Sequence, residues 1–400
     1  MRMSSVQIFQ QGLSAMLTQQ QKLAETEQQL ATGRRILTPS DDPVAAVQIM
    51  DITEDLARVD QYQRNANLAE GQLAREEAVL ADTGNLLQRV RELVLQANNA
   101  TQSPENRSAI ATEIEARIDE LVGLANTRDA SGEYIFGGFQ SQSQPFSRQG
   151  GSVVYAGDDG QRFVQVGSSV QVAVRDSGAE VFMSVPSGNG SFSIQPDPGN
   201  SGTAVISSSV RNGSFISDDY TVSFSQPTPT DPVTYQVTNS AAAVVGSGVY
   251  AAGDAIDFAG ARLEFSGAPA DGDTFTVEPS VNKSLFATLE DIVGALRDPA
   301  TTPAGVAAVN NAMALALGDI DQGLDKVLEV RAGVGVRLQQ VQSQLDINDS
   351  FNLQLQETLS GIQDLDYAEA ISRFNLELTA LQAAQQSYAK MQGLSLFNYL

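Results

Sequence analysis

Residues 31–46 read ATGRRILTPSDDPVAA, and this stretch separates two helical segments of different character. Gly33 is expected to stop the first helix, because glycine readily adopts the left-handed backbone found after helix C-termini. Pro43 fits the first turn of the next helix, where a backbone N–H would have no intrahelical partner. Ser40, Asp41 and Asp42 are the candidate caps of that helix. The loop that follows Gly33 runs from Thr38 to Pro43 and contains Pro39, Ser40, Asp41, Asp42 and Pro43.

The helix before this loop carries an apolar stripe whose members follow one another at steps of three, four and seven residues. That spacing is a period of 3.5 and predicts a coiled-coil seam. Gln20 and Glu27 also fall on the seam, so it is imperfect, and an isolated helix of this quality is marginal in water. The apolar members are Phe9, Leu13, Met16, Leu23 and Leu30.

The other end of the chain carries a second stripe, which starts near Asp366 and is followed by an apolar tail. One interpretation is that both terminal stripes are ordinary core. The other is that they are arms for contact with other subunits, which is favoured by their positions at both ends of the chain. The residues of this second stripe and tail are Ile371, Phe374, Leu378, Leu381, Tyr388, Leu394 and Phe397.

Long helices are predicted between the two terminal arms. Residues 43–99 contain no proline after Pro43, and their apolar residues recur at helical spacing, so one helix of about 85 Å is expected. Ser103, Pro104 and Glu105 then form a cap, a first helical position and a first-turn acid, which predicts a third helix up to about Asn126. Residues 327–345 repeat the same stripe, so we expect them to complete an antiparallel bundle.

The middle of the chain is expected to be β-structure. Residues 133–286 hold 17 of the 25 aromatic residues, 19 of the 33 glycines and 9 of the 14 prolines, which places turn formers and aromatics together. Residues 152–165 are predicted to form a strand, a tight turn at 157–160 and a second strand. Residues 186–202 look like a domain boundary or a linker, and the predicted strands beyond it lie within 215–224, 233–237, 255–265 and 274–277.

Composition narrows the chemistry. The chain has 24 basic and 48 acidic residues, a net charge of −24, which argues against binding nucleic acid or inserting into anionic membranes. There is no cysteine and no histidine, which removes the thiol nucleophile, the commonest general base and the usual zinc ligands. The N-terminus lacks the apolar run of a secretory signal. An enzyme would have to work with carboxylates, Lys, Tyr or Ser alone, and we expect no enzyme activity, no cofactor and no metal site.

These observations predict a mainly α protein with a β insertion. The expected segments are an N-terminal coiled-coil arm at 1–42, the first half of a helical core with β-hairpins at 43–186, a separate β domain at 187–282, the second half of the helical core at 283–360, and a C-terminal coiled-coil arm at 361–400.

Several motifs resemble one protein family. The loop at 31–46 is accompanied by NRSAIATEI at 106–114, GEYIFGG at 132–138, GAPADGDTF at 267–275 and LSLF at 394–397. Together they resemble the bacterial flagellar hook-associated protein 3 family, the hook–filament junction proteins related to flagellin. The resemblance implies a flagellin-like fold: long antiparallel helices, terminal coiled-coil helices and an outer β domain.

The resemblance also implies a function. The chain would be a structural protein of the flagellum, exported through the flagellar type III apparatus and located outside the cell. Its implied partners are copies of itself in a ring-like layer, hook-associated protein 1, flagellin and an export chaperone. The terminal stripes would be partly disordered in the monomer and become ordered on self-assembly.

Two alternatives remain open at this point. The chain could be flagellin itself, the filament subunit, in which case the purified protein would polymerise unaided. It could also be a surface adhesin whose β insert binds carbohydrate through its aromatic residues, although alternating aromatics in strands are more often core.

Overall fold

The computed structural model describes residues 5–99, 102–228 and 230–393. Contacts divide the chain into two compact units, one formed by Met1–Asn65 with Gln344–Leu400 and the other by Ala66–Ser343. The five predicted segment boundaries stay a prediction. The α-helices of the described residues are α1 Ser5–Thr32, α2 Pro43–Ala97, α3 Pro104–Ala125, α4 Leu285–Leu296, α5 Pro303–Gln363 and α6 Tyr367–Gly393.

The helix ends follow the local signals in the sequence. Pro43 begins α2, and Asp42 Oδ1 caps it by accepting a hydrogen bond from Ala45 N at 3.0 Å. Ser103 is the N-cap of α3, with its side chain accepting from Asn106 N at 3.3 Å. The long helix and the third helix predicted from the sequence are confirmed to within a few residues.

Within the 66–343 unit the long helices run antiparallel. The guanidinium of Arg331 on α5 pairs with Glu77 on α2 at 2.6 Å, and that of Arg91 on α2 pairs with Asp321 on α5 at 2.7 Å. Arg89 on α2 pairs with Glu113 on α3 at 2.8 Å. The fully buried residues of α2 recur at heptad spacing and fill the core between the helices: Leu73, Leu80 and Leu87.

The β-hairpin predicted over residues 152–165 is wrong. Strand β1 Phe146–Gln149 pairs antiparallel with β2 Ser152–Tyr155, while β3 Phe163–Gln165 pairs with β4 Gln171–Ala173. Gly150 and Gly151 have φ of 62° and 98°, the positive values that a two-residue hairpin turn requires. The turn therefore precedes β2 instead of following it, and a single π-helical turn, Ala179–Met183, follows β4.

A β-sandwich follows along the chain. Strands β5 Val185–Pro186 and β14 Asn282–Lys283 pair antiparallel where the chain enters and leaves it. Between them lie β6 Phe192–Pro196, β7 Val205–Arg211, β8 Tyr220–Ser225, β9 Thr234–Asn239, β10 Val244–Val249, β11 Ala255–Phe258, β12 Ala261–Ser266 and β13 Thr274–Pro279. The strand order is β10-β9-β8-β13-β6 in one sheet and β11-β12-β7 in the other.

The core of this sandwich is aromatic. The rings of Phe224, Phe265 and Phe275 pack mostly edge to face at 4.7 to 6.0 Å between centroids, and all three are almost fully buried. Burial of these rings disfavours their use as sugar-binding platforms. Of the two alternatives for residues 186–202, a boundary or a linker, the linker is wrong in part, because β6 lies inside this stretch and buries Phe192 and Ile194 in the same core.

Candidate assembly interface

The two terminal helices α1 and α6 pack against each other in antiparallel orientation. The rings of Phe9 and Tyr388 meet edge to face with centroids 5.9 Å apart. Further along, the side-chain amide of Gln19 donates to the carbonyl oxygen of Glu377 at 3.4 Å. This register places Met16 at the level of Leu381 and Leu23 at the level of Phe374.

The α1 face that is at least half-buried follows a heptad pattern, but only half of it is the predicted seam. Phe9, Met16, Leu23 and Leu30 lie on it as expected. The alternate positions are Gly12, Gln19 and Thr26, each one residue before the predicted Leu13, Gln20 and Glu27. Small and polar residues occupy half of the seam, so the helix pair buries little apolar surface for its length.

The corresponding face of α6 contains Ala370, Phe374, Glu377, Leu381, Ala384 and Tyr388. Leu381 is buried, and Phe374, Leu378 and Tyr388 are half-buried. The predicted Ile371 lies outside this face. Leu394 and Phe397 lie outside the residues that the structure describes.

Large apolar side chains remain exposed on both terminal helices. On α1, Leu13 is 47% exposed and Leu17 is 53% exposed. On α6, Ile371 is 50% and Leu376 is 73% exposed. Since the α1–α6 contact does not cover them, these four residues are free to meet another chain. We call them the uncovered terminal residues.

The same unit exposes further apolar residues on the long helices. Val44 and Val47, two of the apolar residues that recur at helical spacing along α2, are 70% and 58% exposed. Met50 on α2 and Ile347 and Phe351 on α5 are also exposed. Sequence reasoning missed these residues as a candidate surface, because a stripe of this kind has the same pattern whether a neighbouring element or another subunit covers it.

The linkers that lead into α2 and α6 are joined by a short antiparallel ladder. Arg35 N donates to Gln363 O at 2.8 Å, and Leu365 N donates to Gly33 O at 2.9 Å. The Arg35 guanidinium also donates to Ile362 O at 2.9 Å. This ladder fixes the base of the α1–α6 pair and ties the two ends of the chain together.

The loop between α1 and α2 is organised by one carboxylate. Asp41 Oδ2 accepts from Thr38 N at 2.8 Å and from Leu37 N at 3.0 Å, and Oδ1 accepts from Thr38 Oγ1 at 2.9 Å. These bonds, first of all the one from the Thr38 backbone, hold the pKa of Asp41 below its usual range. Ser40 Oγ lies 2.7 Å from Thr38 Oγ1, and Pro39 and Pro43 flank the turn.

Among the described residues, no group of three or more acidic side chains is arranged to hold a metal ion. No described helix is both long and apolar enough to cross a membrane.

Comparisons with known proteins find similar proteins for both helical ends of the chain. A family model for the bacterial flagellin N-terminal helical region matches residues 4–141, and one for the flagellin C-terminal helical region matches residues 317–400. Flagellar hook-associated protein 3 of Escherichia coli K12 is 26% identical over 401 residues, which covers 99% of each chain.

Two solved structures are also similar. The FlgL protein of Xanthomonas campestris is 35% identical, with a TM-score of 0.72, and the match covers 77% of this chain and 99% of that one. The flagellar junction protein FlgL from Legionella pneumophila is 33% identical, with a TM-score of 0.72, covering 80% of this chain and 100% of that one.

Proposed function

Because this chain belongs to the family of the flagellar hook-associated protein 3, we propose that it is the subunit of the junction between hook and filament and assembles through α1 and α6. It is a structural component of the bacterial flagellum. The observation that supports assembly through the termini is the set of uncovered terminal residues Leu13, Leu17, Ile371 and Leu376 on a helix pair whose own seam is half polar.

The energetics favour completion of this helix pair by neighbouring subunits. Burying a Leu, Ile or Phe side chain contributes roughly 1.5–3 kcal/mol, whereas ordering the backbone costs about 1–2 kcal/mol per residue. The seam of one chain alone offsets little of that cost. Burial of the uncovered terminal residues between subunits adds the missing apolar area, so that ordering of the termini and assembly occur together.

The weak pairing of α1 with α6 also suits export of the chain. A chain that passes through a narrow channel has to travel without a stable tertiary structure, and terminal helices with half-polar seams are easy to keep unpaired. The net charge of −24 holds monomers apart at long range until the terminal helices engage. An export chaperone would cover the exposed apolar residues before secretion, and the mature protein would lie outside the cell.

In the assembled flagellum this chain would form a ring-like layer with copies of itself. Hook-associated protein 1 would contact the layer on the hook side, and flagellin would contact it on the filament side. The flagellin-like terminal helices supply a reason for the second contact, because like helices can continue the same packing from one layer to the next.

The experiment replaces Leu13 and Ile371 by Asp in a strain that depends on this protein for motility. Both side chains are about half exposed in the monomer, so the helical circular-dichroism signal should not change. Incorporation into flagella should be lost, motility should fall, and flagellin should appear in the medium because nothing seats it on the hook.

The matched control is the double variant Gln21→Asp with Gln382→Asp. It adds the same charges at exposed polar positions of α1 and α6 and should assemble normally. Normal flagella from the Leu13 and Ile371 variant would mean that these residues take no part in assembly. Immuno-electron microscopy tests the location: label at the hook–filament boundary is expected, whereas label along the whole filament would identify a filament subunit.

A further inference from the structure

One face of α5 lies against the β-sandwich within the 66–343 unit. Asn311, Leu315 and Asp319 are spaced four residues apart and therefore share that face. Asn311 and Asp319 are both buried polar residues, at 3% and 9% exposure. A buried polar side chain persists only where hydrogen bonds compensate its loss of water, so each of them needs partners.

Asn311 finds its partners on an edge strand. In the sheet ordered β11-β12-β7, β7 has a free edge. Asn311 Nδ2 donates to Ala204 O at 2.9 Å, and Ile206 N donates to Asn311 Oδ1 at 2.8 Å. The side-chain amide thus replaces the pair of ladder bonds that another strand would make, and it covers the start of this edge with a helix.

Asp319 holds both connections between the helices and the sandwich. Its Oδ1 accepts from Gly188 N at 2.7 Å, just after β5, and its Oδ2 accepts from Lys283 Nζ at 3.1 Å, on β14. Lys283 also pairs with Asp291 on α4 at 2.7 Å. The entering and leaving strands are therefore fixed to the same point on α5.

The face of α5 between Asn311 and Asp319 packs tightly against the sandwich and its connecting loop. Leu315 lies between them in sequence and packs against the aromatic core of the sandwich. A Cβ built on Gly318 would lie 3.0 Å from Gly188 O, so the helix backbone and the connecting loop already approach closely. A domain on a loose tether would show few such contacts.

We propose that Asn311, Leu315 and Asp319 form a latch that holds the β-sandwich in one orientation on α5, so that the outer domain and this helix move as one body. Without the latch the sandwich keeps its own core but turns freely about the paired strands β5 and β14. With the latch in place, this face of α5 would set the angle at which each subunit of the junction layer holds its outer domain.

The test uses spin labels, and the absence of cysteine makes labelling specific. Ser247→Cys on β10 and Gln339→Cys on α5 are exposed positions for a pulsed electron–electron double-resonance measurement of their separation. The parent chain should give one narrow distance distribution. The double variant Asn311→Leu with Asp319→Ala should give a broad one, since Leu keeps the branched shape of the Asn311 side chain but cannot hydrogen-bond.

The matched control is Asn310→Leu, the neighbouring position, which makes none of these bonds and should leave the distribution narrow. Hydrogen exchange on the same samples locates the change. Loss of protection confined to β7, 185–191 and 280–284 supports the latch. A narrow distribution in the double variant overturns it, and so does loss of protection throughout the sandwich core, which would make Asn311 and Asp319 part of the sandwich fold itself.

Discussion

At the scale of single residues, Gly33 shapes the joint between α1 and α2. Its φ is 72°, a left-handed value that other residues adopt only with strain. A Cβ at this position would also lie 2.9 Å from the hydroxyl oxygen of Tyr367. Its carbonyl oxygen is the acceptor for Leu365 N in the ladder that joins the two ends of the chain.

Gly33→Ala should therefore destabilise the terminal unit, by roughly 1–3 kcal/mol for the backbone strain alone. Hydrogen exchange of α1 and α6 measures the effect directly. Gly361→Ala is the control, because Gly361 lies inside α5 with open space around it and alanine there should be slightly stabilising. Equal protection of α1 and α6 in the two variants would show that the ladder tolerates the change.

Glu76 is a second residue with a large individual effect. It lies on α2 at 1% exposure, where its Oε1 accepts from Asp176 N at 2.9 Å and its Oε2 has no hydrogen-bond partner. The Arg337 guanidinium forms an ion pair with Asp176. Burial, and then the charge of Asp176, raise the pKa of the Glu76 carboxyl from 4.5 to about 8, against the opposing charges of Arg337 and Arg175.

Stability should accordingly depend on pH through Glu76. Between pH 4.5 and about 8 the Glu76 carboxyl keeps its proton in the folded state and releases it in the unfolded state. The contribution of Glu76 to stability is therefore complete below pH 4.5 and is lost as the pH rises towards 8. Glu76→Gln removes that loss and should raise the melting temperature at pH 8 by several degrees but hardly at pH 4.5. Asp82→Asn, an exposed acid on the same helix, is the control. A pH dependence that persists in Glu76→Gln would contradict this account.

At the scale of helices and strands, the sequence predicted the features that depend on the spacing of apolar residues. Phe9, Met16, Leu23 and Leu30 were placed correctly because they are large and recur every seven residues. The alternate seam positions were missed, since Gly12 and Thr26 carry no apolar signal and the exposed Leu13 next to Gly12 does. Polar and small residues occupy seam positions because they allow close packing or form hydrogen bonds. The spacing of apolar residues gives no signal for either.

The strand predictions are limited in the same way, because they rest on local sequence signals alone. The two-residue turn at Gly150 and Gly151 competes with the Gly-Asp-Asp-Gly sequence at 157–160, and both look like turns. Asp158 accepts from Phe139 N and from Gly160 N, both at 2.8 Å. That second stretch is therefore tied to the loop around Phe139, a partner about twenty residues away that no local signal indicates.

At the scale of the whole molecule, composition separated helical ends from a β-rich middle, and that division is confirmed. Motif resemblance led to the correct family. What composition could not give is how the sandwich meets the helices, because Asn311 and Asp319 look like ordinary polar residues of a helix until their partners near residues 188 and 205 are known.

The last prediction concerns the independence of the sandwich. Removing residues 187–281 and closing the gap with a short Gly-Ser linker should leave the helices folded. The linker has little distance to cover, because β5 and β14 pair as neighbours, with Pro186 opposite Asn282. Asn311 loses both of its partners in this deletion, whereas Asp319 loses Gly188 but keeps Lys283. Both side chains regain water, so no buried polar group is left unpaired. The helical circular-dichroism signal and its thermal transition should both be retained.

A larger deletion supplies the contrast. Removing residues 127–183 as well takes away Phe146 and Phe182, whose rings pack on Phe286 of α4 at 5.3 and 6.0 Å. Phe286 is fully buried in that cluster, and exposing it costs apolar burial that the helices cannot replace. The larger deletion should lose its cooperative transition while the smaller one keeps it. If the smaller deletion also loses its helical signal, the sandwich is part of the helical fold and not a module carried by it.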